Sequence, residues 1–134
     1  MHPPLAIASD HAGFALKRDL LAWMQAQGFC VEDLGTHAEF SCDYPDFAEA
    51  LAGWMARDQA RRGVLVCGSG TGMSIAANRH AHIRAALCRG GLEARLARAH
   101  NDANVLCLGA RITGADAAKD CLEQFLRTPF EGGR

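Results

Sequence analysis

The 134-residue chain is 49% hydrophobic and 22% charged, with a formal net charge of −1, which excludes a disordered polymer and suffices for one domain burying roughly two thirds of its unfolded surface. It carries no basic stripe of the kind that nucleic acid or an anionic membrane would require, whereas a small anion needs only a few arginines. The Met1-His2-Pro3-Pro4 start has no basic n-region or apolar h-region, and no apolar run approaches membrane-spanning length, so a cytoplasmic protein without signal peptide or transmembrane helix is expected.

In chain order, an apolar run at 5–8 leads into Ser9-Asp10-His11, and a helix starts near Gly13 with Leu16, Leu20 and Met24 on one face. A weaker strand pattern covers 29–34. Asp43-Tyr44-Pro45 opens a second helix, whose Phe47, Leu51, Trp54 and Met55 share a face. The run 64–67 ends in Cys67, followed by Gly68, Ser69, Gly70, Thr71 and Gly72 at the start of a third helix. A fourth strand is expected at 83–88, then a helix ending at His100-Asn101, then a fifth strand at 105–108. The last helix places Ala118, Cys121, Leu122, Phe125 and Leu126 on one stripe, with Pro129 beyond its end. These apolar runs alternate little, as strands covered on both faces do. Five strand–helix pairs with right-handed crossovers predict an α/β fold, a doubly wound parallel five-stranded sheet with helices on both faces, as a single domain over 1–134.

Ligands of such sheets bind beyond the carboxyl ends of the strands. The loop there is the strongest local signal. Three glycines alternating with Ser69 and Thr71 allow successive backbone N–H groups to converge on an anion beside a helix N-terminus, although a tight strand-to-helix turn also explains glycine. It is neither a Walker A loop nor a Gly-x-Gly-x-x-Gly pattern, because position 73 is Met. Thiols beside helix N-termini ionise more readily than free ones, so Cys67 reads either as a reactive thiol or as a buried structural cysteine. The six cysteines form no Cys-x-x-Cys pair, which argues against a zinc site and a disulfide framework. Cys30, Cys88, Cys107 and Cys121 are read as buried structural residues.

Asp10 either caps the first helix or binds a ligand, and His11 beside it suits a phosphate or a hydroxyl. His2, His37, His80 and His82 are read as surface residues. His100-Asn101 has an ordinary explanation as a helix end, with Asn101 left-handed. The pair should lie at the amino edge of the sheet, about a strand length of ~17 Å from Cys67. A catalytic His100 therefore implies a site completed by a second subunit. Arg111, in a glycine-flanked loop, and Arg134, at the end of the sequence, are either surface charges or bidentate phosphate ligands.

The segments SDHAGFALK (9–17), DYPDF (43–47), GVLVCGSGTG (63–72), SIAAN (74–78), AHNDANV (99–105), GAR (109–111) and FEGGR (130–134) together resemble the ribose-5-phosphate isomerase B and galactose-6-phosphate isomerase family. The resemblance implies a Rossmann-like subunit in a homodimer or tetramer with the active site shared between subunits, a sugar-phosphate substrate, and no metal or organic cofactor. It implies Cys67 as the base moving a proton between C1 and C2, with Gly68, Ser69, Gly70, Thr71 and Gly72 as the anion hole. His100 would open the furanose ring and Asp10 hold substrate hydroxyls. His11, Arg111 and Arg134 would hold the phosphate, Asn101 would bind near the reacting oxygens, and Tyr44 would line the pocket. Members without this cysteine carry a loop glutamate; Met73 here matches the cysteine version.

Members often continue past the Gly-Gly-Arg segment with further basic residues, and this sequence stops at Arg134. Either such residues follow, or the phosphate is held differently. The competing readings are an isomerase of allose 6-phosphate or galactose 6-phosphate, and a non-catalytic nucleotide- or anion-binding module on a flavodoxin-like scaffold, which would need the loop and arginines but neither Cys67 nor His100.

Overall fold

In the computed structural model, which describes residues 2–132, β1 (Leu5–Ser9), β2 (Val31–Asp33), β3 (Arg62–Cys67), β4 (Ala85–Leu87) and β5 (Val105–Gly109) alternate with α1 (Phe14–Ala26), α2 (Tyr44–Met55), α3 (Thr71–Asn78), α4 (Gly91–Asn101) and α5 (Ala115–Arg127). The five strands form one sheet of order β2-β1-β3-β5-β4, and every pairing is parallel. The alternating periods predict this doubly wound sheet. They do not predict that β5 returns between β3 and β4.

The central strands β1 and β5 are buried along their whole length, and β3 along all but its first residue. Their side chains divide by parity. Ile7, Val64, Val66, Leu106 and Leu108 pack with α1, α4 and α5, while Ala6, Ala8, Leu65, Cys67, Val105 and Cys107 pack with α2 and α3. Small residues on the second face let α2 approach closely: Ala48 and Ala52 are 1% exposed, and a Cβ on Gly63 would lie 2.5 Å from Leu51. On the first face α5 buries Cys121, Leu122 and Phe125, each large side chain contributing about 1.5–3 kcal/mol by leaving water.

Local chemistry sets the ends of the elements. Asp43 precedes α2 in an extended conformation, with Pro at the helix start and Asp46 in the first turn, where fixed φ and negative charge both suit a helix N-terminus. α4 carries Arg98 and His100 in its last turn, favourable against the dipole. Its left-handed terminating residue is Asp102 (φ 50°), not Asn101, which stays helical. The shift follows from Arg98, whose Nη1 donates to Asp102 Oδ1 and to the Ala103 carbonyl and so fixes the turn one residue later. β2 is shorter than its apolar pattern, because Phe29 packs into the core before the strand begins and Cys30 is exposed rather than buried. No described helix is long and apolar enough to cross a membrane.

Candidate active site

β1, β3 and β5 are neighbours, so the loops leaving their carboxyl ends lie side by side. Cys67 is the last residue of β3, 4% exposed, and pairs across the ladder with Gly109. The chain then turns into α3 through Gly70, which adopts φ 82° at the helix N-cap. That conformation suits glycine, and a Cβ there would collide with Leu87 and stand 3.0 Å from the Leu108 carbonyl carbon. The turn directs the Gly70 N–H to Cys67 Sγ, 3.1 Å away. Backbone N–H donors favour negative charge, so the loop suits an anion beside the sulfur.

The β5 loop closes over this turn. Ala110 N donates to the Cys67 carbonyl at 2.8 Å and Arg111 N to the Gly68 carbonyl at 2.9 Å. A Cβ on Gly68 would lie 3.3 Å from Arg111 Nη1, so the guanidinium rests over bare backbone. On the other side, Gly72 admits the Tyr44 ring, 2.7 Å from where its Cβ would stand. Tyr44, Cys67, Gly68, Ser69, Gly72, Arg111 and Ile112 enclose a cavity of about 300 Å³. A larger cleft of about 730 Å³, lined by Cys30, Glu32, Trp54 and Arg61 among others, contains none of the candidate residues.

Asp10 and His11 follow β1, next to β3 in the sheet, and do not line this cavity. Asp10 N donates to the Val66 carbonyl at 3.2 Å, which ties the loop to β3 one residue before Cys67. Its side chain is nearly buried, and Oδ1 accepts the Gly13 N–H at 3.0 Å. That bond is a capping contact to the start of α1, and Oδ2 has no partner among the described residues. His11 Nδ1 accepts the Cys42 N–H at 3.1 Å. A neutral His11 therefore carries its proton on Nε2, which is left as a donor.

His100 and Asn101 are exposed at the end of α4, before β5. The register sets Val105 beside Gly63 and Gly109 beside Cys67, so the pair lies more than four strand rises, about 13 Å, from the level of Cys67. The Asn101 carbonyl accepts Arg84 Nε at 2.8 Å, and the Ala99 carbonyl accepts the Glu131 N–H at 3.0 Å. The segment leading to Arg134 thus runs beside the end of α4; Arg134 itself lies outside the described residues. The candidates form two groups at opposite ends of the sheet, with Asp10, His11, Tyr44, the 67–72 loop and Arg111 at one end and His100 and Asn101 at the other.

Three other thiols are buried away from the cavity. Burial pushes Cys88 up from 9.0 to about 12 and Cys121 up to about 11, and pushes Cys107 higher still, so these three stay neutral. Among the described residues no three His, Cys, Asp or Glu side chains converge as a metal site requires. Sequence reasoning assigns no role to Lys17 or Asp33, which form an ion pair at 2.7 Å behind the β1 loop, the lysine buried and the carboxylate partly exposed. The available signal was a lysine interrupting the Leu16–Leu20 stripe.

A family model described as Ribose/Galactose Isomerase matches residues 5–134. The chain is 42% identical over 130 residues to ribose-5-phosphate isomerase B of Escherichia coli, covering 97% of this chain and 87% of that one. The crystal structure of a Thermotoga maritima ribose 5-phosphate isomerase superposes with a TM-score of 0.97 at 50% identity, covering 100% of this chain and 92% of that one. The Mycoplasma genitalium ribose-5-phosphate isomerase B, solved with bound ribulose-5-phosphate, superposes at 0.94 with 38% identity, over 98% and 88% of the two chains.

Proposed function

The chain belongs to the ribose/galactose isomerase family, and from that premise we propose that it interconverts ribose 5-phosphate and ribulose 5-phosphate through an enediolate. The observation that carries the reading is Cys67 in the wall of a cavity it shares with the glycine loop and Arg111. In this reading the Cys67 thiolate removes the proton from C2 of the open-chain aldose. The C2–H electrons form the C1–C2 double bond, and the carbonyl electrons move onto O1. Return of the proton to C1, with transfer of the O2 proton to O1, yields the ketose. The exchange is redox-neutral within one molecule, so the proposal needs no electron carrier. Gly68 to Gly72 stabilise the developing oxyanion, because fixed N–H groups need no reorganisation as charge appears. Asp10 holds hydroxyls, Tyr44 lines the pocket, and His11 and Arg111 hold the phosphate, with Arg134 assigned to the same task.

Ring opening needs an acid/base, assigned to His100 with Asn101 beside it. Neither reaches Cys67 within one chain, so a second copy supplies them. Leu92 and Leu96 are exposed at 61% and 37%, and with His100 they recur every four residues on α4, an apolar stripe leading to the histidine. Exposed Tyr44 and Ile112 line the cavity that such a copy would cover. The symmetric arrangement gives two shared sites per dimer.

The test follows conversion of ribose 5-phosphate in wild type and Cys67→Ala with a chelator present. Turnover is expected in the wild type, with kcat reduced at least ~100-fold in the variant. Equal activity in both would remove Cys67 as base. No activity in either would redirect the reading to six-carbon sugar phosphates, and failure there would leave an anion-binding module.

A further inference from the structure

Lys17 lies on the buried stripe of α1 beside Leu16 and Leu20 and is 2% exposed. A buried ammonium persists only when paired. Its Nζ donates to both carboxylate oxygens of Asp33 at 2.7 Å and lies 5.4 Å from the centroid of the Phe14 ring. Apolar residues of similar volume can stabilise such a position as well or better, so stability alone does not explain the pair.

Its onward bonds lead to the active site. Asp33 ends β2, and its Oδ1 also accepts the Gly35 N–H at 3.0 Å. The Gly35 carbonyl accepts the Ser9 N–H, and Thr36 N donates to the Ser9 carbonyl, both at 2.7 Å. Ser9 directly precedes Asp10, which β3 holds from the other side through the Val66 carbonyl. Gly35 has φ 106°, outside regular strand geometry; Leu34 N donates to the Ile7 carbonyl at 2.9 Å just before it, and the Asp33 carboxylate adds a side-chain hold on the Gly35 N–H where residues 35 and 36 continue the pairing with β1.

We propose that Asp33 is a positioning residue of the active site, an acceptor that fixes Gly35 and Thr36 and through them the seat of Asp10 and His11, with Lys17 offsetting its charge. The proposal rests on the reading of Asp10 and His11 as substrate-binding residues. A displacement of such groups by about 1 Å costs on the order of 100-fold in rate.

Two double variants separate charge from geometry. Lys17→Met/Asp33→Leu removes the ion pair and the acceptor for the Gly35 N–H. Lys17→Met/Asp33→Asn removes the charges but keeps an acceptor oxygen. Both are expected to unfold near the wild-type midpoint. The leucine version should raise KM for ribose 5-phosphate and lower kcat/KM at least ~10-fold, while the asparagine version stays within ~3-fold of wild type. A folded leucine version with wild-type constants overturns the proposal, as does an asparagine version no better than the leucine one. Amide exchange on the wild type decides the matter if the leucine version does not fold. The Ser9, Gly35 and Thr36 amides should exchange as slowly as those of β3, and exchange at loop rates overturns the proposal. A wild type inactive on ribose 5-phosphate counts against the proposed reaction instead, and the exchange measurement then judges the clamp by itself.

Discussion

Gly70 carries two constraints at once, a left-handed backbone and a space closed by Leu87 and the β5 backbone. Alanine there would meet both. Gly70→Ala should lose about 2 kcal/mol or more of stability and most of the activity, since the amide facing Cys67 must move. A urea midpoint and turnover equal to wild type would contradict that. Cys67 and Cys107 face the same helices from adjacent strands, yet only Cys67 ends its strand at the cavity. Position along the strand, not residue type, separates the proposed base from a core thiol. His11 shows the same economy: one backbone N–H from Cys42 selects the tautomer with a donor at Nε2.

At the level of elements, β5, α5 and the segment after β4 each bury a thiol. Cys88, Cys107 and Cys121 are held above 9.0, Cys121 near 11 and Cys88 near 12, because burial disfavours the thiolate. The unfolded chain releases these protons near 9, whereas the folded chain retains them. Their contribution is therefore fully present below about pH 9 and is lost as pH rises through about 11 and 12. Urea midpoints should fall across that window, and a flat or rising midpoint would contradict it. α4 is finished by Arg98, 3% exposed, which reaches Asp102, the Ala103 carbonyl and the Thr128 carbonyl. One guanidinium thus joins the end of α4, the approach to β5 and the end of α5, and so fixes where His100 and Asn101 are presented.

For the whole molecule, the sheet was legible because its strands are apolar runs of the right length and its helices carry clear faces. The strand order was not, since a parallel crossover leaves no mark in the period of either strand. The cavity residues were legible from Cys67 and its glycines, and the separation of His100 from them followed from chain order alone. The Lys17–Asp33 pair escaped because two charges sixteen positions apart show no partnership until α1 folds back on β2. The short β2, with Phe29 buried and Cys30 exposed, reflects tertiary packing overriding an apolar pattern.

The proposed site draws Cys67 from one copy and His100 from another. It is tested by mixing Cys67→Ala with His100→Asn, after co-refolding to exchange subunits. Each variant alone should be nearly inactive. In a mixed dimer one of the two sites keeps both native residues, so an equimolar mixture should recover about a quarter of wild-type activity. A mixture as inactive as its components, or a His100→Asn variant as active as wild type, would contradict the shared site.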